Sequence, residues 1–224
     1  MLLMRNAALL SALAAAAALA GCAPPYARRL SAADEALRAG RYDRARELYG
    51  EAAALAQKDG LPPAERARAR GGEAAAGSLM GRPGAAEKAY RAALDDLRAA
   101  PGAELARAAL LADLAAACAV QGRGDEAAGL YRKSVEEYGR APDAPPLEVA
   151  ARLADLGQLE LASRRYGEAE KAYAGALALR ERAGARDAAA LGPLLEDLAA
   201  ALRGQGKQAE AEAVVRRARA LGRP

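Results

Sequence analysis

Three aspartates recur at one fixed interval. Asp113 stands in "LADL", Asp155 in a second "LADL" and Asp197 in "LEDL", each 42 residues after the last. A repeated carboxylate can serve as an acid or base, hold a cation, or accept hydrogen bonds from a partner. The first two uses lack their usual company. The 224 residues include no histidine, which removes the commonest general base, the commonest metal ligand and every Ser–His or Cys–His arrangement. The chain has no Gly-rich phosphate loop, nucleophile elbow, CxxC pair or HExxH. The expectation is a protein that is not an enzyme, with no cofactor and no metal site. Recognition is the third use. An ionised aspartate accepts but cannot donate, so it holds the N–H side of a peptide backbone and favours a basic partner segment. The competing expectation is that the aspartates pair with nearby Arg152 or Arg203, or stand in water.

The elements that must carry these aspartates are helical. Hydrophobic residues make up 53% of the chain, much of it alanine; Phe and Trp are absent, and tyrosine supplies every aromatic. Alanine buries little area, so such a core suits close helix–helix packing. Turn-forming residues separate long helix-favouring runs, and no stretch alternates as a strand does. The fold class expected is all-α. The net charge of +4 comes from interspersed Arg and Glu/Asp, which argues for solvated helix faces and against a nucleic-acid surface.

A repeat organises the helices. Anchors fall at Gly40, Gly81, Gly122, Arg164 and Gly206, at steps of 41 or 42 residues. Five residues after each anchor comes an alanine: Ala45, Ala86, Ala127, Ala169 and Ala211. Nine after come Tyr49, Tyr90, Tyr131, Tyr173 and Val215. Twelve after come Ala52, Ala93, Ser134, Ala176 and Ala218. Seven before come Ala33, Ala74, Ala115, Gly157 and Ala199. Small residues on two successive helices let them approach closely, the tyrosine fills the space beside them, and the anchor ends the first helix in a left-handed turn. Leu111, Leu114, Ala115 and Cys118 mark one helical face, as do Leu195, Leu198, Ala199 and Leu202. Proline-bearing stretches at 60–63, 100–102, 141–146 and 184–193 are expected to link one pair to the next.

With these spacings the chain resembles the tetratricopeptide repeat (TPR) family, and its 42-residue period resembles the kinesin-light-chain-like subtype rather than the common 34-residue unit. The resemblance implies a right-handed α-solenoid of about five repeats, at roughly 29–60, 61–101, 102–143, 144–185 and 186–222. It is strongest in repeats three to five. In repeats one and two Arg29, Ala32, Arg70 and Glu73 replace expected leucines, so an irregular first repeat is foreseen. The resemblance also implies that the position nine before each anchor faces a concave groove. Asp113, Asp155 and Asp197 occupy it in the last three repeats, Ser31 and Gly72 in the first two, and Gln158 and Arg203 complete the candidate groove.

The N-terminus reads as an export signal. Arg5 precedes an apolar run from Ala7 to Ala20, too short to span a bilayer. The run ends in Leu19-Ala20-Gly21-Cys22, which resembles the lipobox of bacterial lipoproteins. That resemblance implies a signal peptide over 1–21, lipidation of Cys22 and a tether over 22–28. Ala23 rather than Asp after the cysteine implies, in a Gram-negative source, the outer membrane facing the periplasm. Several acyl chains on one cysteine give stable anchoring. The other cysteine, Cys118, lies on an apolar stripe and is expected to pack as a small hydrophobe.

Three further features invite a role. Glu160 sits on the packing stripe of repeat four and, if buried, needs a partner, expected to be a nearby arginine. Val214 and Leu221 on the last helix are expected on an end face beside Arg216, Arg217 and Arg219, a candidate surface for a homo-oligomer. The arginine-rich stretch 64–73 is expected to be a solvated face, with anionic lipid as the alternative. Together these features point to a lipid-anchored scaffold that binds another protein in a bacterial envelope complex. The alternatives are a self-associating structural lipoprotein and a regulator of a cell-wall enzyme.

Overall fold

The computed structural model describes residues 23–186 and 188–222, so the signal segment and Cys22 lie outside the described residues. Those residues form ten helices and no strand: α1 (Pro25–Arg38), α2 (Tyr42–Lys58), α3 (Pro63–Leu79), α4 (Pro83–Leu97), α5 (Glu104–Val120), α6 (Gly124–Arg140), α7 (Pro146–Ala162), α8 (Tyr166–Arg182), α9 (Ala188–Gly204) and α10 (Gln208–Leu221). They divide into two compact units, one up to Ala100 and one from Pro101. The first holds α1–α4 and the second α5–α10.

Each pair is a helical hairpin closed at its anchor. Gly40, Gly81, Gly122, Arg164 and Gly206 all have positive φ, and Arg164, at 57°, does so with a side chain. The turn is a Schellman motif each time. The amide after the anchor donates to a carbonyl five residues back, as Arg41 to Ala36 at 2.9 Å and Arg165 to Glu160 at 2.8 Å. Prolines at the first turn of α1, α3, α4 and α7 start those helices without losing an intrahelical bond.

Small residues set the packing distance. Those at the seven-before, five-after and twelve-after positions are buried in all five pairs, with Ala218 alone half-buried. Tyr49, Tyr90, Tyr131 and Tyr173 are buried beside them. Glycine allows the closest approach: a Cβ on Gly157 would stand 2.9 Å from the Tyr173 ring, and one on Gly72 only 2.4 Å from the Tyr49 ring. Ser134, the one polar residue of the twelve-after series, donates to the Ala108 carbonyl at 2.7 Å.

In the first unit α3 buries no leucine, its Leu79 being exposed, and compensates with charge. Asp96 on α4 accepts from Arg66 at 2.9 Å and from Arg70, while Arg68 reaches Asp34 on α1 at 3.1 Å. The arginine-rich stretch is therefore an internal clamp, not the merely solvated face expected. Nor is the first pair irregular. Tyr26 and Leu30 fill its core, and the Tyr26 hydroxyl donates to Glu65 on α3 at 2.7 Å.

Two boundaries differ from expectation. The stretch 25–28, expected as part of a tether, is already helix, because Pro25 nucleates α1 and Tyr26 is buried. The stretch 184–193, expected as a linker, is helical from Ala188 with Pro193 inside α9. Burial of Leu191, Leu194 and Leu195 in one cluster outweighs the hydrogen bond that Pro193 cannot donate. None of the described helices is long and apolar enough to cross a membrane.

Candidate partner-binding face

In the second unit the three aspartates fall on the first helix of successive hairpins, on α5, α7 and α9. Asp113 and Asp197 are exposed and Asp155 is half-buried. Burial nevertheless pushes all three carboxyls above the usual aspartate range. Water reaches these carboxylates, but neighbouring protein replaces part of the hydration shell that favours their charged form.

The charges around them differ. Arg152 donates to Asp155 at 3.1 Å, and its charge also draws the Asp113 carboxyl back down. Asp113 and Asp197 have no hydrogen bond or ion pair among the described residues. Glu196 beside Asp197 adds to the rise there. Pairing with Arg152 thus holds for one aspartate of three. Gln158 is exposed on α7. Arg203 belongs elsewhere, lining a cavity between α9 and α10 with Glu196, Val215 and Arg219.

Buried tyrosines lie close to these aspartates. The hydroxyl nine after one anchor lies near the aspartate nine before the next. Burial and the Asp155 charge raise Tyr131 to about 12, and burial and Asp197 do the same to Tyr173. Tyr138 is raised to about 12 by burial and its 2.9 Å bond to Glu148. The Tyr173 hydroxyl is buried without a hydrogen-bond partner among the described residues. The fixed offset between tyrosine and aspartate was the available signal, and packing explained the tyrosines too readily for it to register. The same relation accounts for Gly72. Tyr49 occupies the space a side chain there would need and donates to Asp34 at 2.5 Å.

Glu160 is fully buried and bonded to Arg165, and to Arg132 at 2.7 Å; Arg165 also reaches Asp125 at 2.6 Å. Burial works against the charge, but the two guanidiniums win and hold the carboxyl below the usual glutamate range. It joins α6, α7 and the start of α8, as the arginine pairing expected of it would. Cys118 is a buried thiol that accepts a hydrogen bond from Arg123 at 2.7 Å. Val214 and Leu221, expected on an end face, are half-buried against the core cluster of α9.

No family model matches the chain, and no curated protein matches it. Solved structures do. BtubC (BKLC) from P. vanneervenii is 27% identical, with a TM-score of 0.70 over 84% of this chain and 76% of that one. A Podosopora anserina protein of nearly identical TPR-like repeats, of the kinesin light chain kind, is 19% identical, with a TM-score of 0.68 over 87% and 93%. MamA is 14% identical, with a TM-score of 0.65 over 86% and 89%. The chain has an all-α helical repeat fold of the TPR-like kind.

Proposed function

We propose that the chain is a protein–protein interaction scaffold of the kinesin-light-chain-like repeat subtype. Its aspartate-bearing first helices hold an extended basic segment of another protein. The observation that carries this is the series Asp113, Asp155 and Asp197 on α5, α7 and α9, two of them exposed and without an ion pair among the described residues, with burial raising their carboxyls. A carboxylate placed so gains when a cation or a donor N–H replaces its missing water. Tyr131 and Tyr173 beneath supply rigid flanking rings.

The N-terminal Leu-Ala-Gly-Cys supports lipidation at Cys22, and Ala23 after it supports, in a Gram-negative source, a place on the outer membrane facing the periplasm. Only Ala23 and Pro24 separate Cys22 from α1, a reach of about 10 Å over three Cα steps. An anchored scaffold of this kind suits assembly of an envelope machine for secretion, pilus formation or motility. Labelled fatty acid is expected to enter the wild-type chain and not Cys22→Ala. A photo-crosslinker at Gln158 is expected to trap a partner polypeptide in native membranes, and D113N/D155N/D197N to lose that adduct. An adduct that survives the triple substitution overturns the proposed face.

A further inference from the structure

We propose a second docking site, in the groove between α9 and α10, whose occupant is an acidic amphipathic helix of another protein. The groove is a cavity of about 630 Å³ lined by Pro193, Glu196, Arg203, Val215, Ala218 and Arg219 among others.

The hairpin before it defines what fits. The equivalent surface of α7 and α8 is covered by α9, whose Leu191, Leu194 and Leu195 share a core cluster with Ala150, Tyr173 and Ala176. The surface is thus a seat for one helix, and among the described residues α10 packs mainly on α9, with Arg217 reaching Glu181 on α8.

Sequence at the seat then changes in one direction. Arg203 stands where the two preceding repeats have Leu161 and Ala119, and Arg219 where they have Leu177 and Val135. Both arginines are exposed and have no hydrogen bond or ion pair among the described residues, whereas the neighbouring Arg217 is bound to Glu181. Two free guanidiniums therefore flank an apolar strip of Pro193, Val215 and Ala218. A wholly apolar helix would strip water from both charges without return. A helix with an apolar stripe and carboxylates on its flanks keeps the burial and pairs both arginines, which suit carboxylates geometrically. Glu196 at one edge favours the positive N-terminal end of such a helix and so sets its direction. A second copy docking face to face would place Arg203 and Arg219 against their own kind, so another protein fits better.

The test uses the full chain and two synthetic helical peptides of about four turns with the same Leu/Ala stripe, one flanked by Glu and one by Lys. Fluorescence anisotropy should show the Glu-flanked peptide binding and the Lys-flanked one not. R203E/R219E should weaken binding at least about tenfold, and bound peptide should slow amide exchange in α9 and α10. If thermal melting shows that the charge reversal unfolds the chain, R203Q/R219Q takes its place with the same expectation. D113N/D155N/D197N should leave this binding unchanged, which separates the seat from the aspartate face. No binding of the Glu-flanked peptide, equal binding of both peptides or unaltered binding by the arginine variants would overturn the proposal. So would concentration-dependent protection of α10 without peptide, with a dimer in light scattering, since a second copy would then be the occupant.

Discussion

Arg164 holds the turn between α7 and α8 at φ 57°, where the other four hairpins use glycine. A side chain in that region costs about 1–2 kcal/mol. Its own side chain is exposed, so Arg164→Gly should stabilise the protein by roughly 0.5–1 kcal/mol after the extra freedom of the unfolded chain is counted. A urea midpoint measures this, and a lower midpoint would refute it. Glu160 offers the opposite case. Its carboxyl lies below the usual glutamate range, so its stabilisation is present above that range and fades as pH falls through the lowered folded value. Glu160→Ala should cost about 3 kcal/mol at neutral pH and less in strong acid, while Glu160→Met, which refills the volume, should cost about 1 kcal/mol or less. Both residues were visible in the sequence as departures, Arg164 from glycine and Glu160 from an apolar stripe. Their partners were less so. Arg165 is adjacent, but Arg132 lies a whole helix away and becomes a neighbour only when α6 packs against α7.

At the scale of elements, glycines separate packing from propensity. Gly72→Ala places a methyl 2.4 Å from the buried Tyr49 ring, so the ring must move and its bond to Asp34 must break. The expected cost is about 2 kcal/mol. Gly129→Ala, in α6 with open space around it, should instead stabilise by about 1 kcal/mol. Melting temperatures of opposite sign would separate the two, and equal signs would contradict the packing described. The spacing of small residues fixed the hairpins, their turns and the buried tyrosines in advance, because each depends on residues within one or two helices. It failed at α3, where Arg66, Arg70 and Asp96 do the work of missing leucines, and at Pro193, where distant leucines hold a helix that local rules would end. Such compensations depend on tertiary neighbours and leave no periodic trace.

For the molecule as a whole, the claim is that Asp113, Asp155 and Asp197 serve a partner and not the fold. Their raised pKa values mean that the native state holds protons more readily than the unfolded one, so their contribution to stability falls as pH rises through the range between the unfolded and folded values. At neutral pH their charge works against folding, offset in part by Arg152 at Asp155 and at Asp113. Replacing all three with Asn should therefore leave the melting temperature unchanged or raise it, as expected of residues retained for binding. The direct measurement is calorimetric titration of the full chain with an extended Lys/Arg-rich peptide and an acidic peptide of equal length, beside melting curves. The account predicts that the basic peptide alone binds, and that D113N/D155N/D197N weakens it at least about tenfold without lowering the melting temperature. Undiminished binding of the basic peptide by the triple variant, or a lowered melting temperature, would contradict it.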